Sequence, residues 1–112
     1  MIGDVYRLVY LAEFNRDILQ ISEYIAKESQ NSEFAYLFIG KLTKEADKLS
    51  YLAAAARPPF MALNGIKLYR YNIKHYAVFY TIDGDTVYVR RIIHSSRDLR
   101  KALRRSTVIR CL

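Results

Sequence analysis

A single cysteine, Cys111, stands in a chain of 112 residues. It allows no intramolecular disulfide and no thiolate pair for zinc, and it suits a reducing compartment. Two histidines, His75 and His94, make a poor ligand set by themselves, so no metal and no cofactor is expected. No apolar run reaches the roughly 18 residues that cross a bilayer, and the first residues lack the basic-then-apolar layout of a signal peptide. There is no glycine-rich phosphate loop, no His-x-x-x-His and no nucleophile elbow. Acids also run short. Beyond Asp47 only Asp83, Asp85 and Asp98 remain, two of them in one turn, which argues against a hydrolase built on paired carboxylates.

What is present is an ordinary globular composition with a basic excess. Hydrophobic residues make up 52% and charged residues 26%, which supports one domain over residues 1–112 with a single core. The formal charge is +7 and the isoelectric point about 9.6, a balance that fits an anionic partner, either nucleic acid or an acidic protein. The excess is concentrated late. Residues 87–112 hold Arg90, Arg91, Arg97, Arg100, Lys101, Arg104, Arg105 and Arg110 against Asp98 alone, and residues 105–112 read as a frayed basic tail. A solvated face that only aids solubility is the plainer alternative. No repeat, linker or low-complexity segment interrupts the chain.

Residues Val5 to Leu11 are β-branched and aromatic and predict a strand. From Ala12 the pattern turns helical, with Phe14, Ile18, Ile21 and Ile25 on one face. Ser29 to Ser32 is a break, with Ser32 as a candidate N-cap and Glu33 in the first turn. A second helix is expected from Glu33 to Leu52, its apolar stripe formed by Phe34, Leu37, Phe38, Leu42, Ala46 and Leu49. So short a connection favours an antiparallel helical hairpin. Pro58 and Pro59 stop the helix, and Asn64-Gly65 marks a turn. A meander of Ile66–Ile73, Tyr76–Ile82 and Thr86–Ile93 follows, its middle strand apolar on both faces and therefore central. Gly84 supplies the turn between the last two strands. Leu99 and Leu103 predict a short helix from Arg97 to Arg105. The fold class is α+β: an N-terminal strand and a helical hairpin packed on a four-stranded, mainly antiparallel sheet, with a short C-terminal helix.

The last strand carries the chemistry. Strict alternation puts Val87, Val89, Arg91 and Ile93 on one face and Tyr88, Arg90, Ile92 and His94 on the other. An unpaired guanidinium under the helices is costly, so one arginine is expected to snorkel or to pair with a helix carboxylate such as Glu45 or Asp47. On the preceding strands Lys67, Tyr69 and Tyr71 alternate with Leu68 and Arg70. A face combining arginines, tyrosines and a histidine could grip RNA through phosphate contacts and stacking, receive an acidic or amphipathic protein segment, or be merely structural. His94 is a candidate acid or base because it titrates near neutrality. The alternative is a histidine that hydrogen-bonds the turn at the strand's end.

Four pieces carry a likeness to a known family. They are residues 17–26, Asp17 to Ala26, in the first helix; Arg57-Pro58; Leu68-Tyr69-Arg70-Tyr71 with Tyr76 to Tyr80; and Arg91-Ile92-Ile93-His94-Ser95-Ser96-Arg97-Asp98. In their order and spacing the chain resembles the RelE/ParE superfamily, the toxins of bacterial type II toxin–antitoxin systems, and its ending resembles the ParE branch. The resemblance implies a bacterial cytoplasmic toxin, without a catalytic residue, that inhibits DNA gyrase and is neutralised by a cognate ParD-like antitoxin. The target would be met by Arg90, Arg91, His94, Arg97, Asp98 and Arg100. An acidic amphipathic antitoxin segment would wrap the hairpin and the sheet and meet Tyr69, Tyr71, Tyr80 and Arg90, and DNA would be bound only through the antitoxin complex, with no membrane involved. The alternative branch cleaves mRNA on the ribosome, and Arg70, Arg91 and His94 would be its catalytic set here. Against it, no tyrosine follows Tyr88. A second alternative is a binding module of the same fold that has lost toxicity.

Overall fold

The computed structural model of the protein describes residues 5–55 and 57–105. The frayed tail expected at its end, Cys111 included, lies outside them apart from Arg105. In chain order the elements are β1 (Arg7–Tyr10), α1 (Ala12–Ser29), α2 (Ser32–Ala46), α3 (Leu49–Leu52), β2 (Met61–Leu63), β3 (Ile66–Ile73), β4 (Tyr76–Asp83), β5 (Thr86–His94) and α4 (Leu99–Arg104). The strands form one sheet in the order β1-β5-β4-β3-β2. β1 runs parallel to β5, and the remaining pairs are antiparallel. The α+β architecture follows the sequence pattern, with a fifth strand added by β2. Among the described residues no helix is long and apolar enough to cross a membrane.

Turn chemistry fixes the sheet. Asn64 (φ 52°) and Gly65 (φ 79°) both occupy the left-handed region and join Leu63 to Ile66 in a two-residue loop, the geometry that matches strand twist. Gly84 (φ 61°) begins the loop between Asp83 and Thr86. β4 lies in the middle and alternates strictly. Tyr76, Val78 and Tyr80 join Phe14, Leu42 and Leu49 in a core under the helical hairpin, while Ala77 and Phe79 join Leu68, Ile93, Leu99 and Leu103 in a second core under α4. The sheet is thus covered on both faces, as its apolar middle strand requires.

Several boundaries differ from the pattern. Asn31, not Ser32, caps α2, its side-chain oxygen accepting from the Phe34 amide at 3.0 Å. The expected helix to Leu52 breaks after Ala46 and resumes as α3, which lets Leu49 and Ala53 turn into the core. Phe34 and Leu37, assigned to the buried stripe, are exposed, and Ala35 is buried in their place. The small side chain takes the inward position, and the larger side chains on either side, Phe34 and Tyr36, are exposed. α4 is shorter than expected because Asp98 caps it, accepting from the Lys101 amide at 3.1 Å.

Candidate functional site

One irregularity organises the last strand. Phe79 pairs with Arg91 and Tyr80 with Val89, so Arg90 is an extra residue in β5. A bulge of this kind breaks the alternation of side chains. Val87, Val89 and Ile92 share the hairpin core and Ile93 lies in the other. The strict two-residue alternation expected through His94 is therefore wrong beyond Val89.

The bulge coincides with the end of β1. Leu11 still donates its amide to the Val89 carbonyl at 3.0 Å, after which the chain becomes α1 and β5 has no strand on that side. Asp17 takes the place of a strand partner. Its Oδ2 accepts from the Ile92 amide at 3.0 Å and from Arg91 Nε at 2.7 Å, while Oδ1 accepts from Arg91 Nη2 at 3.0 Å. Glu13 lies 3.4 Å from Arg91 Nη1. The Arg91 side chain is 11% exposed, so the pair is a largely buried, bidentate ion pair rather than a surface one. The expectation that a helix carboxylate answers a strand arginine holds, but Glu45 and Asp47 are not that carboxylate. Glu45 pairs with Lys48 at 2.7 Å and Asp47 accepts from the Tyr10 hydroxyl. Burial, followed by that bond, raises the Tyr10 pKa.

Arg90 is equally buried and differently served. It is 7% exposed, donates from Nε to the Thr81 hydroxyl at 2.7 Å and lies 5.6 Å from the centre of the Tyr88 ring. No carboxylate among the described residues pairs with it, and burial lowers its pKa. The residues named as a partner-binding set divide across the sheet. Tyr80 is 1% exposed in the hairpin core, with Tyr69 stacked on it at 5.6 Å and Tyr71 packed at the core's edge. Arg90, beside Thr81, is on the other side, and neither it nor Tyr80 offers an open side chain.

His94 serves the turn after β5. Its Nδ1 accepts from the Ser96 amide at 3.1 Å, with the Ser96 hydroxyl at 2.8 Å, an arrangement that leaves the proton of a neutral ring on Nε2. The ring sits edge-on to Tyr76 at 5.2 Å and parallel to His75 at 6.2 Å. Together with Tyr24, Ile92 and Arg97 these line an open cleft of about 670 Å³ beside α1.

Arg70, Arg91 and His94 do not converge. Arg70 and Arg91 lie in one row of the sheet, each opposite Phe79. Yet the Arg91 guanidinium turns to Asp17, while that of Arg70 lies 5.4 Å from the centre of the Phe60 ring and donates to Asn72 at 2.7 Å. Arg100 occupies Phe60 as well, at 4.5 Å. Along α4, Arg97, Lys101 and Arg105 border a shallow hollow that also touches Arg91, and Asp98 spends its carboxylate on the helix cap. The exposed cations Arg97 and Arg100 are therefore gathered at α4, as the sequence placed them, while Arg90 and Arg91 are built into the fold and His94, itself exposed, is held by the turn after β5.

Sequence reasoning missed Glu13, Asp17 and Phe60. Asp17 had a signal: it stands three residues from Phe14 on the apolar side of α1, where a carboxylate requires a partner.

Compared with known families, residues 8–99 match the model described as ParE toxin of type II toxin–antitoxin system, parDE. This chain belongs to the ParE toxin family. A search of curated proteins gives no match. Among solved structures, a chain of the chromosomal ParDE toxin–antitoxin system from P. aeruginosa is similar with a TM-score of 0.66 at 12% identity, over 82% of this chain and 98% of that one. At that identity the likeness speaks for the fold. The ParE match runs from β1 through Leu99, so it takes in the bulge, Asp17, Arg91 and the turn of His94. It leaves Arg100, Lys101, Arg104 and Arg105 outside.

Proposed function

We propose that this ParE family member is a non-enzymatic inhibitor of DNA gyrase, neutralised by a cognate antitoxin. The observation that carries the reading, beside family membership, is the dispersal of Arg70, Arg91 and His94. Ribonuclease chemistry needs a phosphate clamp and an acid or base within hydrogen-bond reach of one scissile group. Here one arginine is held by Asp17 and Glu13, one stacks on Phe60, and the histidine faces a cleft beside α1. The remaining exposed basic residues, Arg97, Arg100 and their neighbours on α4, are the surface for the target.

The antitoxin is assigned to the other side. Large apolar side chains exposed on the hairpin, Leu19, Tyr24, Phe34, Tyr36 and Leu37, supply the hydrophobic anchors that protein interfaces use. Tyr69 and Tyr71 continue that surface at the sheet. In this reading the chain works in the bacterial cytoplasm.

A supercoiling and cleavage assay with purified gyrase, with and without ATP, tests the proposal. Loss of supercoiling with accumulation of gyrase-linked cleaved DNA is the expected result. Normal gyrase turnover beside a preparation that arrests growth would overturn it, and primer extension on cellular mRNA would then test the ribosome.

A further inference from the structure

We infer that α4 and the neighbouring Arg70 of β3 bind the phosphate backbone of duplex DNA directly, with no antitoxin between them. The inference extends the gyrase reading by naming DNA, rather than gyrase protein, as what this face touches.

The argument begins with charge left unanswered. Among the described residues only Lys48 and Arg91 stand within 4.0 Å of a carboxylate. On α4, Leu99, Ala102 and Leu103 are buried and the outward positions are Arg100, Lys101 and Arg104, with Arg97 just before the helix and Arg105 just after it. Spacings of four place Arg97, Lys101 and Arg105 along one line and Arg100 with Arg104 along another. Asp98 is the acid of this segment, and its carboxylate is engaged at the helix cap. Arg70 extends the patch to β3. It and Arg100 share the Phe60 ring, which keeps two guanidiniums within about one phosphate spacing or two of each other and limits what they lose on binding.

The face also lacks what other occupants need. A protein partner needs an apolar centre, yet the most exposed large apolar residues lie on the helices and near β1, away from α4. Single-stranded RNA is held by bases stacked on open aromatic rings, and the ring here, Phe60, is already occupied by arginines. Rows of cations without apolar or stacking anchors fit a regular array of phosphates.

The test is fluorescence anisotropy of a labelled 20-base-pair duplex with the purified full-length chain, without gyrase and without antitoxin. About four phosphate contacts predict a loss of affinity of about a hundredfold between 50 and 200 mM salt. The Arg100→Glu/Arg104→Glu variant should bind at least about tenfold more weakly at 50 mM salt. Arg100→Lys/Arg104→Lys should bind within about threefold of the parent, since a phosphate accepts either cation. Lys41→Glu/Lys44→Glu on α2 makes the same change in net charge and should also stay within about threefold. Thermal melts of all three check that they fold. Equal weakening by the α2 variant, tighter binding to single-stranded RNA of the same length, or no binding to the duplex at 50 mM salt would each overturn the inference. Gyrase inhibition without duplex binding would sink this proposal and spare the gyrase reading; duplex binding without inhibition would do the reverse.

Discussion

Arg90 and Arg91 are neighbours at one bulge and almost equally buried, yet their surroundings differ completely. Arg91 faces α1 and is met by Asp17, Glu13 and a short, well-aimed hydrogen-bond set. Arg90, one residue earlier, meets no carboxylate among the described residues and has a hydroxyl and an aromatic ring instead. The difference repeats at the scale of the molecule. The hairpin face carries the carboxylates that neutralise the strand and the apolar side chains that remain exposed. The α4 face carries cations, and the Asp98 carboxylate there is engaged at the helix cap. A cation that has its counterion is part of the fold, and a surface of cations without them is available for work.

The largest expected effect breaks the first half of that contrast. Asp17→Ala should cost about 3–5 kcal/mol, because it leaves the Arg91 guanidinium buried without its main partner and frees the Ile92 amide. Urea unfolding measures this, and a loss below about 1 kcal/mol would make the pair incidental. Arg90→Met sharpens the contrast from the other side. With no carboxylate to orphan, it should change stability by less than about 1 kcal/mol in either direction.

Next come the two surfaces. Tyr36→Ser/Leu37→Ser on α2 removes two exposed anchors and should weaken antitoxin binding about tenfold to a hundredfold by calorimetry, while melting within a degree or two of the parent. His94→Ala should leave growth arrest within about threefold, whereas an acid or base in catalysis would cost about 10²- to 10⁴-fold. The smallest effect is a pH dependence. Burial raises the pKa of Tyr10, Tyr76 and Tyr80, so their neutral forms are favoured on folding. Their contribution is complete below the ordinary tyrosine value of about 10 and is lost as pH rises beyond it. Denaturant midpoints at pH 8 and pH 11 should differ accordingly, and Tyr10→Phe should shrink the difference.

Local pattern carried most of the architecture. The both-sided apolar run at Tyr76–Ile82 announced the central strand, and Pro58-Pro59 announced the end of the helices. Asn64-Gly65 signalled a turn, but β2 is only three residues long and is defined by its partner β3 rather than by its own composition. The bulge at Arg90 was not legible. It is a mismatch in count between two strands, and no residue type marks it. For the same reason the faces of Arg91 and Ile92 came out reversed. Asp17 was missed because a carboxylate near an apolar stripe suggests an exposed flank until the ion it meets is known. The clustering of Arg97 and Arg100 on a charged segment was legible because it is sequential, and no tertiary contact was needed to bring those residues together.

The gyrase cleavage assay with paired variants tests the division of labour most directly. Arg97→Glu/Arg100→Glu should abolish gyrase-linked cleavage while still binding antitoxin, and Tyr36→Ser/Leu37→Ser should cleave as the parent does. Full activity in the arginine variant, or its loss in the α2 variant, would contradict the account.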